Sequence, residues 1–165
     1  MRAHTELATE KVGVILRRCA GGIVEGWLAR AKKSELNVVP LSDEQRAVHV
    51  PRLVEDLALR LSQSSDAAES SDGIFSAAAV AHGKLRYRQG YTTGMLVDES
   101  RIMELTVFGM LQSNLNSLDL NSLLPDVTAI ADEVDGQLTQ SMAGYMELAK
   151  AAAACNRRKS TNFRG

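Results

Sequence analysis

The sequence predicts an all-α bundle of about five amphipathic helices that ends in a long C-terminal helix. Three observations point there. Apolar residues recur at spacings of three and four along most of the chain, the period of one helical face. Aromatic residues make up only 4% while Ala, Leu and Met abound, and proline is confined to Pro40, Pro51 and Pro125. Hardly any stretch alternates apolar with polar residues for long enough to make a strand, and the most strand-like run, Asn37-Val38-Val39-Pro40, is cut by its proline.

The first helix is expected from Thr5 to Lys33, with Ala8, Val12, Ile15, Leu16, Cys19, Ile23, Trp27 and Ala31 on one stripe. Gly21 and Gly22 weaken it and are expected to admit a close neighbour or a bend. After a loop through Pro40, Ser42-Asp43-Glu44-Gln45 has the form of a capping box. Pro51 suits the opening turn of a following helix that bears Leu53, Leu57 and Leu61. Gln63 to Asp72, rich in Ser, Asp and Glu, is expected as a solvated linker.

A third long helix is expected from Ile74 to Arg88, stopped by Gly90 in the left-handed region, with Thr92 or Thr93 capping the next. That next helix should run from Thr93 to Leu118 and pack through Leu96, Met103, Val107, Met110, Leu111 and Leu118. Asp119 to Ser122 forms a corner. The last helix starts near Leu123, tolerates Pro125 in its first turn, and carries Val127, Ile130, Val134, Leu138, Met142, Tyr145 and Leu148 as one stripe. Arg157, Arg158, Lys159 and Arg164 crowd its end. The division expected is a single helical domain over 1–155 and a basic flexible tail over 156–165.

Charge narrows the function classes. The 165 residues carry 19 basic and 20 acidic side chains, so no global field gathers nucleic acid or an anionic membrane. There is no run of about 18 apolar residues and no signal peptide, and the two cysteines, Cys19 and Cys155, lie far apart. A reduced cytoplasm is the compartment expected. Cys19 reads as a small buried hydrophobe.

The informative stretch is Ala81 to Thr92 followed by Leu96 to Arg101. Ala78, His82, Leu85 and Gln89 share a helical face with Arg86 at its flank, which mixes polar groups into a packing surface. A hairpin turning near Gly90 brings His82, Arg86 and Glu99 together. Two readings stand: a ligand or switch site, in which His82 titrates near neutrality beside Glu99, and a buried polar cluster that fixes helix register. Gly83 suits either, as a point of close helix approach or as room for a small ligand.

Other chemistries find less support. His82 on an apolar face could hold haem, though no second haem landmark accompanies it. His4, His49 and His82 are scattered in sequence, so no metal is expected. Asp132, Glu133 and Asp135 read as a solvated face. The chain lacks a P-loop, a G-x-G-x-x-G or a nucleophile with its base, so no enzyme is expected.

The residues His82-Gly83-x-x-Arg86-x-x-Gln89-Gly90-Tyr91, then Leu96-Val97-x-Glu99-x-Arg101, Asn114-Leu115-x-x-Leu118-Asp119 and Asp132-Glu133-Val134-Asp135-x-Gln137-Leu138 resemble the N-terminal domain of the RsbT co-antagonist protein of the RsbRD type. The resemblance is clearest from Ala78 to Tyr145. Such modules stand ahead of sensor histidine kinases and other bacterial signalling outputs. The resemblance implies a non-catalytic input domain of stress-response or two-component signalling that controls an output domain through its last helix. It adds Gln89, Tyr91 and Arg101 to the ligand-or-switch cluster. A homodimer pairing the fourth and fifth helices is expected, with a kinase, STAS or other regulator as partner. No such output segment follows by Gly165, so a fragment, an isolated domain or a stand-alone relative is expected.

Overall fold

The computed structural model describes residues 10–64 and 75–162. Among these the chain is an all-α bundle. No strand forms, and one isolated bridge joins Glu10 to Leu118, with the Glu10 N–H donating to the Ser117 carbonyl at 2.8 Å.

The first expected helix is two. α1 (Val12–Arg18) and α2 (Ala20–Ala31) meet at Cys19, whose φ of −99° and ψ of 9° interrupt the helical path. The stripe is buried on both sides of the break, but its halves serve different neighbours. Val12, Ile15 and Leu16 belong to the helix that packs on α4, whereas Ile23, Trp27 and Ala31 belong to the one that packs mainly on α6. Gly21 and Gly22 have nothing within 4 Å of a would-be Cβ, so they ease the bend and admit no neighbour. Cys19 is half-buried. Residues Thr5 to Ala8 lie outside the described residues.

A 3-10 turn (Glu35–Val38) precedes α3 (Asp43–Ala47), where the capping box forms: Ser42 Oγ accepts from the Gln45 N–H, and Gln45 Oε1 accepts from the Ser42 N–H. Pro51 stands in the first turn of α4 (Val50–Ser64), and Leu53, Leu57 and Leu61 are buried. The expected linker from Gln63 falls on residues outside the description beyond Ser64.

Ser76 caps α5 (Ala77–Arg88), its Oγ accepting from Ala79 N–H. Gly90 then turns the chain at a φ of +84°, and Thr92 caps α6 (Thr93–Ser113). α6 ends five residues before the expected Leu118. Asn114 leaves the helical region there, its side chain donates back to the Met110 carbonyl at 2.8 Å, and a 3-10 turn (Leu115–Ser117) delivers Leu118 to the core. Asp119 makes the corner by accepting from Asn121 and Ser122. α7 (Leu123–Asn162) follows without interruption.

The expected tail boundary at 156 has no counterpart in the backbone, which stays helical to Asn162. Ala151 to Ala154 are strong helix formers, and basic residues near a helix C-terminus complement its dipole. At 1.5 Å per residue, the 40 residues of α7 extend about 60 Å.

α5 packs most extensively against α7, and only weakly against α6. Paired positions rise together along the two helices: Ser76 with Gln140, Ala79 with Ser141, Val80 with Gly144, Lys84 with Glu147. α5 and α7 are therefore parallel. Reciprocal glycines let them close in, since a Cβ on Gly83 would lie 1.7 Å from the Ser141 carbonyl oxygen and one on Gly144 2.3 Å from that of Val80. The buried edge of α7 thus turns from Ile130 and Val134 onto Gln137, Ser141 and Gly144, and Leu138, Met142, Tyr145 and Leu148 flank it half-buried. The apolar stripe expected to pair two copies is largely spent within one. No helix among the described residues is long and apolar enough to cross a membrane.

Candidate functional site

The polar groups singled out in the sequence converge where α5, α6 and α3 meet. The inward face of α5 is Ala79, His82, Gly83 and Arg86, all buried. This face is rotated from the expected one, so Arg86 sits at its centre with no exposure, while Leu85 and Gln89 are half-buried. Glu99 of α6 is also buried. Its Oε1 accepts from Arg86 Nε at 2.9 Å and from Arg86 Nη2 at 2.5 Å, and its Oε2 lies 3.0 Å from His82 Nε2. Both carboxylate oxygens are engaged.

The remaining donors of Arg86 reach outward from this pair. Nη1 donates to Gln89 Oε1 at 2.6 Å and Nη2 to the Arg46 carbonyl at 2.5 Å, while the guanidinium carbon stands 4.8 Å from the centre of the Tyr91 ring. Tyr91 is buried, and its hydroxyl accepts from Arg46 Nη1 at 3.1 Å. Arg46 itself is 2% exposed and donates to the Leu36 and Val39 carbonyls at 2.8 and 2.9 Å. Trp27 Nε1 donates to the Glu99 carbonyl at 3.4 Å. The network therefore ties α2, the 3-10 turn, α3, α5 and α6 together.

Arg46 escaped the sequence reading because an arginine in a five-residue helix looks solvated. The capping box at Ser42 fixes the phase of α3 and was the one available clue, but the acceptors that hold Arg46 are carbonyls of an irregular turn. His49 is a second correction. Although distant from His82 in sequence, its ring lies 5.9 Å from the His82 ring, tilted by 57°. The Nδ1 atoms of both are buried with no hydrogen-bond partner among the described residues. His4 lies outside the described residues. Arg101 is a third: two residues from Glu99, it falls on the opposite side of α6 and is exposed. Gly83 serves the approach of α7, and Gly90 the turn.

Burial pushes the Glu99 carboxyl up, but His82 and Arg86 outweigh burial and hold it below the ordinary carboxylate value, so it is ionised. Burial lowers His49, and the charges of His82 and Arg86 lower it further against the opposing pull of Glu99. Burial, then Glu99, raises the Tyr91 phenol. Two buried arginines face one carboxylate, so the cluster disfavours additional positive charge. Glu133, expected on a solvated face, is instead largely buried beside Arg60 at 2.8 Å, and burial raises its carboxyl despite that partner.

A cavity of about 40 Å³ adjoins the cluster, lined by Trp27, Leu53, Leu96, Met103 and Val134 with His82 and Glu99 at its polar side. Space of this size holds a water or two. It falls far below the roughly 300–1,000 Å³ of an ordinary ligand pocket. Haem does not fit here: His82 Nε2 is committed to Glu99, and the helices would have to separate. No group of three His, Cys, Asp or Glu side chains among the described residues is arranged to hold a metal ion.

The buried cluster is joined to the long helix directly. Tyr145 of α7 donates its hydroxyl to the Tyr91 carbonyl at 2.8 Å and meets Tyr87 edge to face at 5.2 Å, one turn beyond the Gly83–Ser141 contact. Compared with models of protein families, with curated proteins and with solved structures, the chain matches none.

Proposed function

We propose that this chain is a non-catalytic input domain of bacterial stress-response or two-component signalling, cytoplasmic and homodimeric, in which the packing around the His82–Arg86–Glu99 cluster sets the position of α7 and thereby an output domain or partner such as a kinase or STAS regulator. One observation carries this reading: the cluster's own turn, at Tyr91, is hydrogen-bonded to Tyr145 of a helix that continues past the end of α5. Residues from Lys150 to Arg157 are mostly exposed, so that part of α7 is held chiefly by what anchors it upstream. A shift between two packings of α5 on α7 moves this segment, and any stimulus that prefers one packing biases it. The small cavity and the fully engaged carboxylate support a non-catalytic role.

Amide hydrogen exchange of the full chain tests the reading. Glu99→Gln should raise exchange along residues 141–157 of α7 well before it does so in α1. Unchanged protection of α7, or a uniform loss everywhere, would refute the coupling.

A further inference from the structure

The outward side of α6 carries a second pattern that the buried cluster does not use. Gly94, Val97, Asp98, Arg101 and Leu105 share this face and are all exposed, with Val97 at 46% and Leu105 at 47%. Beside it the 3-10 turn presents Val38, 70% exposed, and together they border a groove of about 460 Å³ floored by Ile102. Four charged residues line the groove, Lys33, Glu35, Asp98 and Arg101, two of each sign. None of the four side chains has a hydrogen-bond or ion-pair partner among the described residues. Exposed apolar side chains rimmed by unpaired charges mark an association surface.

We infer that this face of α6 is the homodimer interface, occupied by a second copy of the chain in antiparallel register about a two-fold axis between positions 99 and 100. The proposal rests on the dimeric reading above and supplies its surface. Charge chooses the occupant: the groove is neutral as a whole, and a two-fold axis at that point places Asp98 against the partner's Arg101 and Arg101 against the partner's Asp98. The same axis lays Leu105 over the partner's Gly94, where a Cβ would meet nothing nearer than the Thr92 hydroxyl at 3.7 Å. Attractive charges and a hole for an apolar knob thus arise from one operation. A foreign acidic or basic helix would leave half of the charges opposed by like sign.

Sedimentation equilibrium of the full chain over a wide concentration range tests this. The wild-type protein should dimerise. Asp98→Arg and Arg101→Asp should each weaken dimerisation at least about tenfold, because each places like charges together twice, and the double variant should recover to within about threefold of wild type. These positions are solvent-facing, so circular dichroism should show all three variants folded. A wild-type dimer that both single variants leave intact would overturn this surface while the dimeric reading stands. A strict monomer would overturn both, and the exchange behaviour of α7 in Glu99→Gln would be untouched by either result.

Discussion

Replacing Glu99 by Gln removes one negative charge from a site where Arg86 is fully buried and Arg46 nearly so, and where no other carboxylate among the described residues reaches either guanidinium. Glutamine has nearly the same shape but one acceptor oxygen, whereas the carboxylate takes bonds from Arg86 Nε, Arg86 Nη2 and the His82 ring with two. Leaving a buried charge without its partner costs about 3–5 kcal/mol. For a domain of this size urea unfolding has a slope of roughly 2 kcal/mol per molar, so the midpoint should fall by about 1.5–2.5 M. The double variant Arg86→Met with Glu99→Leu should be less unstable than the sum of its singles, since both charges leave together. The pair also shapes the acid limb. Because the fold lowers the Glu99 carboxyl below its ordinary 4.5, the stability it contributes is present above pH 4.5 and is lost as pH falls from there through the folded value. A loss under about 1 kcal/mol for Glu99→Gln would show that the ion pair is effectively solvated and would refute the reasoning.

His49 gives a second pH signature of the same sense at a higher pH. Its folded value lies below the ordinary 6.5, chiefly through burial, so the unfolded chain binds the extra proton and stability declines as pH drops below 6.5; His49→Gln should flatten the melting temperature between pH 7.5 and 5.5, and an unaltered slope would count against the burial of this imidazole beside the cluster. Gly83→Ala should destabilise by at least about 2 kcal/mol in thermal melts because its methyl meets the Ser141 backbone, whereas Gly21→Ala, with open space around it, should stabilise by about 0.5–1 kcal/mol; equal effects would mean α5 and α7 are not in close contact.

Most of the architecture was legible because it is written locally. The capping box at Ser42, Pro51 in an opening turn, Gly90 at positive φ and Thr92 as a cap each depend on neighbours within four residues. The meeting of His82 and Glu99 was legible too, from their nearly equal separations from the Gly90 turn, with Arg86 one helical turn beyond His82 on the same side. What escaped depends on distant partners. The break at Cys19 accompanies a change of main neighbour, from α4 for α1 to α6 for α2, and nothing in the periodicity of the stripe registers it. Arg46 and His49 join the site through contacts spanning more than thirty residues, and Arg101 leaves it because a two-residue step crosses the helix. The role of Gly83 was anticipated in kind, but its neighbour is α7.

Two parallel helices that touch backbone to backbone need a return connection about as long as the helices themselves, and α6 is the return stroke that carries the chain back to the level where α5 began. The stretch from Gly90 to Ser122 therefore works as a ruler. One residue added within α6 rotates everything after it by about 100° and slides it by 1.5 Å, so Gly144 would no longer present bare backbone to Val80 and Ser141 would lose its seat on Gly83. Length in this segment is consequently as constrained as any side chain, and tolerance to insertion should be found in other parts of the molecule.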